Sequence, residues 1–199
     1  MSKYKLYFKK PNVQMPPGEW KPWLPAKVLK HIKLVGVLLS VISVMIWLFL
    51  FRIMYSNGEL IAWKIKLTAD INNTIVRSIV NIAISLIGVL ILLFIHEILH
   101  LLITIGKGDI YMYWNKSLLG VSPFSDCELN WKQSVIYKIM PFLVLTVGLY
   151  LVSVFIDGVV GGLFKYIAMI NFCMSIGDLM LTPFMFRLPR NAVFYSGAL

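Results

Sequence analysis

The sequence predicts an all-α integral membrane protein of about four transmembrane helices, with a short β-hairpin in the 109–133 loop. Composition is the first reason. Of the 199 residues, 59% are hydrophobic and only 14% are charged, whereas soluble globular domains carry about 25% charged residues. The mean hydropathy is +0.79. Patterning is the second. Apolar residues come in unbroken runs: Leu34 to Phe51 is 18 uncharged residues, and Ser78 to Ile95 is another 18. A helix needs about 20 such residues to cross the ~30 Å hydrocarbon layer. The third reason is punctuation, since the runs stop at Arg52, at Gly106-Lys107-Gly108, at Asp157-Gly158 and at Arg187 with Pro189. The expected organisation is a basic segment, 1–33, and one transmembrane domain, 34–199. The expected spans are about 34–52, 79–105, 135–156 and 159–186.

The first 33 residues contain eight Lys and one acid, Glu19, and supply much of the net charge of +10. Pro11, Pro16, Pro17, Pro22 and Pro25 argue against a long helix there. Tyr4, Tyr7, Phe8, Trp20 and Trp23 among the lysines suit an anchor at anionic lipid headgroups. A solvated tail is the competing reading. Because a spanning helix follows directly, the basic charge points to lipid and the cytoplasmic side rather than to nucleic acid. The first apolar run is of spanning length, so no cleavable signal peptide is expected.

Four spans then return the C-terminus, with Arg187 and Arg190, to the cytoplasm, which suits a bacterial plasma membrane. The loop carrying Lys107, Lys116 and Lys132 lies on that side too. The opposite loop carries Arg52, Lys64, Lys66 and Arg77, fewer charges than the N-terminus. In the 109–133 connection, Tyr111-Met112-Tyr113-Trp114 has β-propensity, and Gly120 and Pro123 break it. A hairpin there would offer an edge to an extended peptide; an aromatic interfacial loop is the plainer alternative. Lys138, near the start of the third span, is expected to snorkel to the headgroups. Pro141, one turn in, is expected to kink the helix if it lies deep enough. Cys127 and Cys173 lie in unlike settings and imply no disulfide framework.

One stretch carries chemistry. His96-Glu97-Ile98-Leu99-His100 is an H-E-x-x-H pattern inside an apolar run. On a helix, positions i and i+4 share a face, so His96 and His100 can offer two imidazole nitrogens to one zinc ion. Glu97 beside them has the place of a general base acting on water. Acidic residues in mid-span cost about 2.5–3.5 kcal/mol on insertion scales, so one kept there marks a functional site. Hydrogen-bonded core histidines are the structural alternative. A catalytic zinc takes three protein ligands, and Asp178 is the only acid inside the fourth apolar stretch. Its depth agrees: His96 and His100 lie 17 and 21 residues from Ile79, and Asp178 lies 19 residues from Val159. Asn171, two turns earlier, is a candidate substrate or oxyanion contact, or a helix–helix hydrogen bond. His31, in the basic segment, is read as interfacial rather than as a ligand.

Together, H-E-I-L-H in one helix, Met140-Pro141 opening the next, and Asn171 through Gly177-Asp178-Leu179 in the last resemble the small membrane zincin peptidases. More distantly, they are similar to the site-2 protease class of intramembrane metalloproteases. The resemblance covers roughly Ile79 to Phe186. It implies one zinc held by His96, His100 and Asp178, with Glu97 catalytic. It also implies a peptide substrate in or near the membrane, locally unwound because an intact helix hides its carbonyls. Gly106, Gly108 and the following loop are the expected water entrance. A non-catalytic zinc-binding membrane adaptor or immunity-like protein is the alternative from another class. A metal transporter would need ligands along a path, and Glu59, Asp157 and His31 lie at span ends instead.

Overall fold

The computed structural model describes residues 6–7, 71–115 and 120–195, together with positions 34, 35, 38, 41, 42, 45 and 49. Among these, three helices are long and apolar enough to cross a membrane: Thr74–Thr104, Trp131–Val154 and Gly158–Met185. They match the second, third and fourth expected spans. The expected first span lies largely outside the described residues; its seven described positions are helical, with exposed apolar side chains.

Helix α1, Thr74–Leu101, starts five residues before the expected Ile79. Asn73 explains the early start. Its Oδ1 accepts the N–H groups of Ile75 at 3.0 Å and Val76 at 3.2 Å, which would otherwise be orphaned at the helix start. Arg77 therefore lies in the first turn rather than in a loop. A 3₁₀ turn, Leu102–Thr104, ends the span. Gly106 then takes φ 89°, a left-handed stop that a side chain would strain. Ile75, Ile79, Ile82, Leu86 and Leu90 are all exposed along α1. An exposed apolar stripe of that length is consistent with contact to hydrocarbon.

The chain forms two compact units interleaved in sequence. The first comprises 1–39, 97–140 and 176–199. It contains the expected hairpin: β2, Ile110–Asn115, pairs antiparallel with β3, Gly120–Ser125, in register from Ile110 with Ser125 to Asn115 with Gly120. Strand β1, Leu6–Tyr7, pairs parallel with the other edge of β2. Pro123 falls on β3, an outer strand, where a missing donor is tolerated. Strand β4, Glu128–Asn130, pairs antiparallel with β5, Val193–Tyr195.

Helix α2, Trp131–Pro141, follows β4 directly. Its start is a reciprocal cap: Asn130 Oδ1 accepts the Gln133 N–H at 3.0 Å, and Gln133 Oε1 accepts the Asn130 N–H at 3.1 Å. Cys127, Leu129 and Tyr137 form a small buried core with Ile103 against it. Trp131 Nε1 donates to the Met185 carbonyl at 2.8 Å, tying the base of α2 to the C-terminal end of the last helix.

The second unit comprises 40–96 and 141–175. After Pro141 the backbone widens into a π-helical stretch, Phe142–Gly148, before α3, Leu149–Val154. The sequence reading allowed for a kink here. A π segment is a specific form of it, and such segments gather at functional sites. Helix α4, Gly158–Met185, begins after a tight turn. At Gly161 a Cβ would lie inside van der Waals contact with the Ile156 carbonyl, so only glycine fits there.

Candidate metal centre

His96 and His100 project from one face of α1, one turn apart, and each is only 3% exposed. Glu97, between them, is half-buried. Each histidine is held by a carbonyl-type acceptor on its Nδ1. His100 Nδ1 donates to the main-chain carbonyl of Tyr137, whose ring stacks on the imidazole with centroids 4.9 Å apart. His96 Nδ1 donates to Asn171 Oδ1 at 2.8 Å. The amide orientation follows from its other end. Asn171 Nδ2 lies 3.0 Å from the Pro141 carbonyl, 2.9 Å from Thr146 Oγ1 and 3.2 Å from Ser175 Oγ. A carbonyl can only accept, so Nδ2 is the donor and Oδ1 faces the histidine.

These two bonds set the tautomers. A neutral imidazole that donates from Nδ1 carries its lone pair on Nε2. Both histidines thus turn the nitrogen used for metal ligation away from their anchors, as metal-binding histidines do.

Asp178 lies on α4, half-buried. Its Oδ2 is 3.0 Å from His100 Nε2, and its Oδ1 is 3.3 Å from Lys138 Nζ. Two lone-pair atoms facing at 3.0 Å repel unless a positive charge is shared between them. A metal ion between them would supply it, and the convergence of an imidazole nitrogen and a carboxylate oxygen fits one. Among the described residues, His96, His100 and Asp178 form a group able to hold one, with one ligand atom from each within 4.8 Å of the others. The donor set of two imidazoles and a carboxylate suits zinc.

One residue sits differently from expectation, and one takes the second of two roles weighed for it. Lys138, read as snorkelling to the headgroups, is only 9% exposed and pairs with Asp178. The reason is electrostatic: a carboxylate in an apolar span needs a cation, and an ammonium on the neighbouring helix supplies one. Asn171, offered as a substrate or oxyanion contact, is fully buried. Its two amide protons have three acceptors, and its oxygen is taken by His96. Of the two roles weighed for it, the helix–helix hydrogen bond is the one seen. Sequence reasoning missed Tyr137, because the contributing atom is a backbone oxygen. The available signal was Pro141, which has no N–H for the carbonyl four residues before it.

Outside the spans, burial pushes the Cys127 thiol above its usual range, partly offset by a hydrogen bond with Ser125. Neither Cys127 nor Cys173 is in a disulfide.

A family model described as "Putative zincin peptidase" matches residues 89–193, more than half of the chain. The chain belongs to this family. The matched region opens seven residues, about two turns, before the H-E-x-x-H motif and closes at β5. It therefore takes in both histidines, Glu97, Tyr137, Lys138, Pro141, Asn171 and Asp178. No curated protein and no solved structure matches this zincin-family chain.

Proposed function

We propose that this chain is a membrane-embedded zinc metallopeptidase that hydrolyses peptide bonds of a membrane or membrane-proximal substrate. The observation that carries the reading is the orientation of the two histidines. Both are fixed through Nδ1 by carbonyl oxygens, with His100 Nε2 aimed at the Asp178 carboxylate.

His96, His100 and Asp178 would hold the single ion. When bound, zinc acts as a Lewis acid that lowers the pKa of water and polarises a scissile carbonyl. Glu97 takes the proton released by the attacking water and returns it to the leaving amine. Asn171 and the Tyr137 carbonyl keep the imidazoles in the ligating tautomer throughout. Lys138 balances the charge of Asp178. Burial among apolar helices keeps bulk water from the site, so water reaches it by a polar route, for which Gly106, Gly108 and the following loop are the proposed entrance.

The substrate backbone must be extended where it is cut, since helical carbonyls are already paired. Among the described residues β3 is an outer strand, paired with β2 on one side, and an extended peptide can join such an edge. With both termini in the cytoplasm of a bacterial plasma membrane, cleavage would occur near the cytoplasmic face.

The test is Glu97→Gln in protein reconstituted into liposomes with a library of quenched-fluorescent membrane peptides. Zinc content stays at the wild-type level, and cleavage falls at least ~10²-fold, the usual contribution of a general base. Cleavage unchanged in this variant would refute the peptidase mechanism. Zinc bound by a wild type that cleaves nothing would favour the adaptor.

A further inference from the structure

We propose that Pro141 is the positioning residue of the metal centre, orienting both histidines through the backbone; this rests on the metal-site reading above. Three observations converge on it. Proline has no N–H, so residue 141 makes no helical bond to the carbonyl of residue 137, and that carbonyl accepts from His100 Nδ1. The Pro141 carbonyl itself accepts from Asn171 Nδ2 at 3.0 Å, and the same amide's oxygen holds His96 Nδ1 at 2.8 Å. The π-helical stretch begins at the next residue, Phe142.

One residue therefore serves two ligands by two routes, the N–H its ring lacks and its main-chain carbonyl. The absent N–H removes the competitor for the Tyr137 oxygen. The carbonyl, at the mouth of the widened helix, fixes the amide that fixes His96. Any other residue at 141 would bring an N–H within reach of the Tyr137 carbonyl. The helix would then compete with His100 for its anchor. Pro141 is fully buried, so it acts on zinc or substrate only through these contacts.

The experiment measures zinc affinity by chelator competition and thermal unfolding of the metal-free protein, both in detergent, for wild type, Pro141→Ala and Pro141→Gly. Outer partners of metal-bound histidines contribute roughly 10- to 100-fold to affinity. Pro141→Ala is expected to weaken zinc binding by about that factor while metal-free Tm stays level or rises, because a helical hydrogen bond has been added. Pro141→Gly restores the same N–H in a looser helix and is expected to weaken zinc in the same sense. The opposite movement of affinity and Tm is what a purely structural proline would not produce. Unchanged zinc affinity in both variants overturns the proposal. So does a parallel fall of affinity and Tm, or failure of both variants to fold without zinc, since either makes Pro141 a packing residue. A wild type that binds no zinc would instead overturn the metal-site reading.

Discussion

Replacing Asn171 by leucine separates two roles that a buried amide near a metal can play. Leucine is of comparable size, so the change removes polarity rather than volume. Asn171 accepts from His96 Nδ1 at 2.8 Å and donates among three oxygens at 2.9–3.2 Å. Thr146 and Ser175 can turn their hydroxyls to carbonyls of their own helices. His96 is 3% exposed, and its Nδ1–H would face a methyl group in place of the amide oxygen. A buried donor left unsatisfied costs about 1–3 kcal/mol. The ligand orientation that this bond sets is a separate effect on affinity. Losing an outer partner of a metal-bound histidine typically costs about 10- to 100-fold.

Asn171→Leu should therefore lower metal-free stability by about 1–3 kcal/mol and, by releasing the orientation of His96, weaken zinc binding by about 10- to 100-fold in a chelator-competition titration. If the amide instead served substrate as an oxyanion donor, zinc affinity would stay within threefold of wild type. Cleavage would then fall by about 10²–10³. An unchanged zinc affinity would refute the account of Asn171 as the anchor of His96.

Two further outcomes are expected. Lys138→Met removes the ammonium that faces Asp178 Oδ1 at 3.3 Å and leaves His100 Nε2 at Oδ2. The metal-free protein should lose about 3 kcal/mol, the low end for a broken buried pair because Asp178 keeps 17% of its side chain exposed. Saturating zinc should restore much of that loss, so the gap in Tm between zinc-loaded and chelated protein widens in the variant; a gap equal to wild type would count against the pairing. Cys127 gives a pH dependence. Burial raises its folded pKa above the ordinary 9.0, so between the two values the unfolded chain has lost a proton that the folded one keeps. Its contribution is complete below pH 9.0 and is lost as pH rises through the folded value. Denaturant titrations from pH 8 upward should show stability declining in wild type with a shallower decline in Cys127→Ala, and parallel curves would exclude the thiol as the cause.

How much of this centre a sequence discloses depends on which link of the chain each residue occupies. His96 and His100 were legible because four residues make one helical turn, and that relation is local. Asp178 was legible for an energetic reason, since an acid in an apolar span must have a partner. Neither argument reaches Lys138, which is 40 positions from Asp178. Snorkelling and ion pairing are both good solutions for a lysine near a helix end, and only tertiary packing chooses between them. The early start of α1 turned on Asn73, whose cap is a short-range signal overshadowed by the charge of Arg77. The hairpin followed from β-propensity at Tyr111–Trp114, but its register depends on which residues of 120–125 cross it.

Asn171 and Tyr137 show the deeper limit. A side-chain amide advertises hydrogen bonding without direction, and a backbone carbonyl is present at every position. Pro141 turns that anonymity into information. Of all residues it alone withdraws a donor at a known offset, so the carbonyl at 137 becomes an acceptor in search of a partner. A polar ligand aimed at position i−4 of a buried proline is thus a prediction a sequence can support. In this chain the ligand found there is His100.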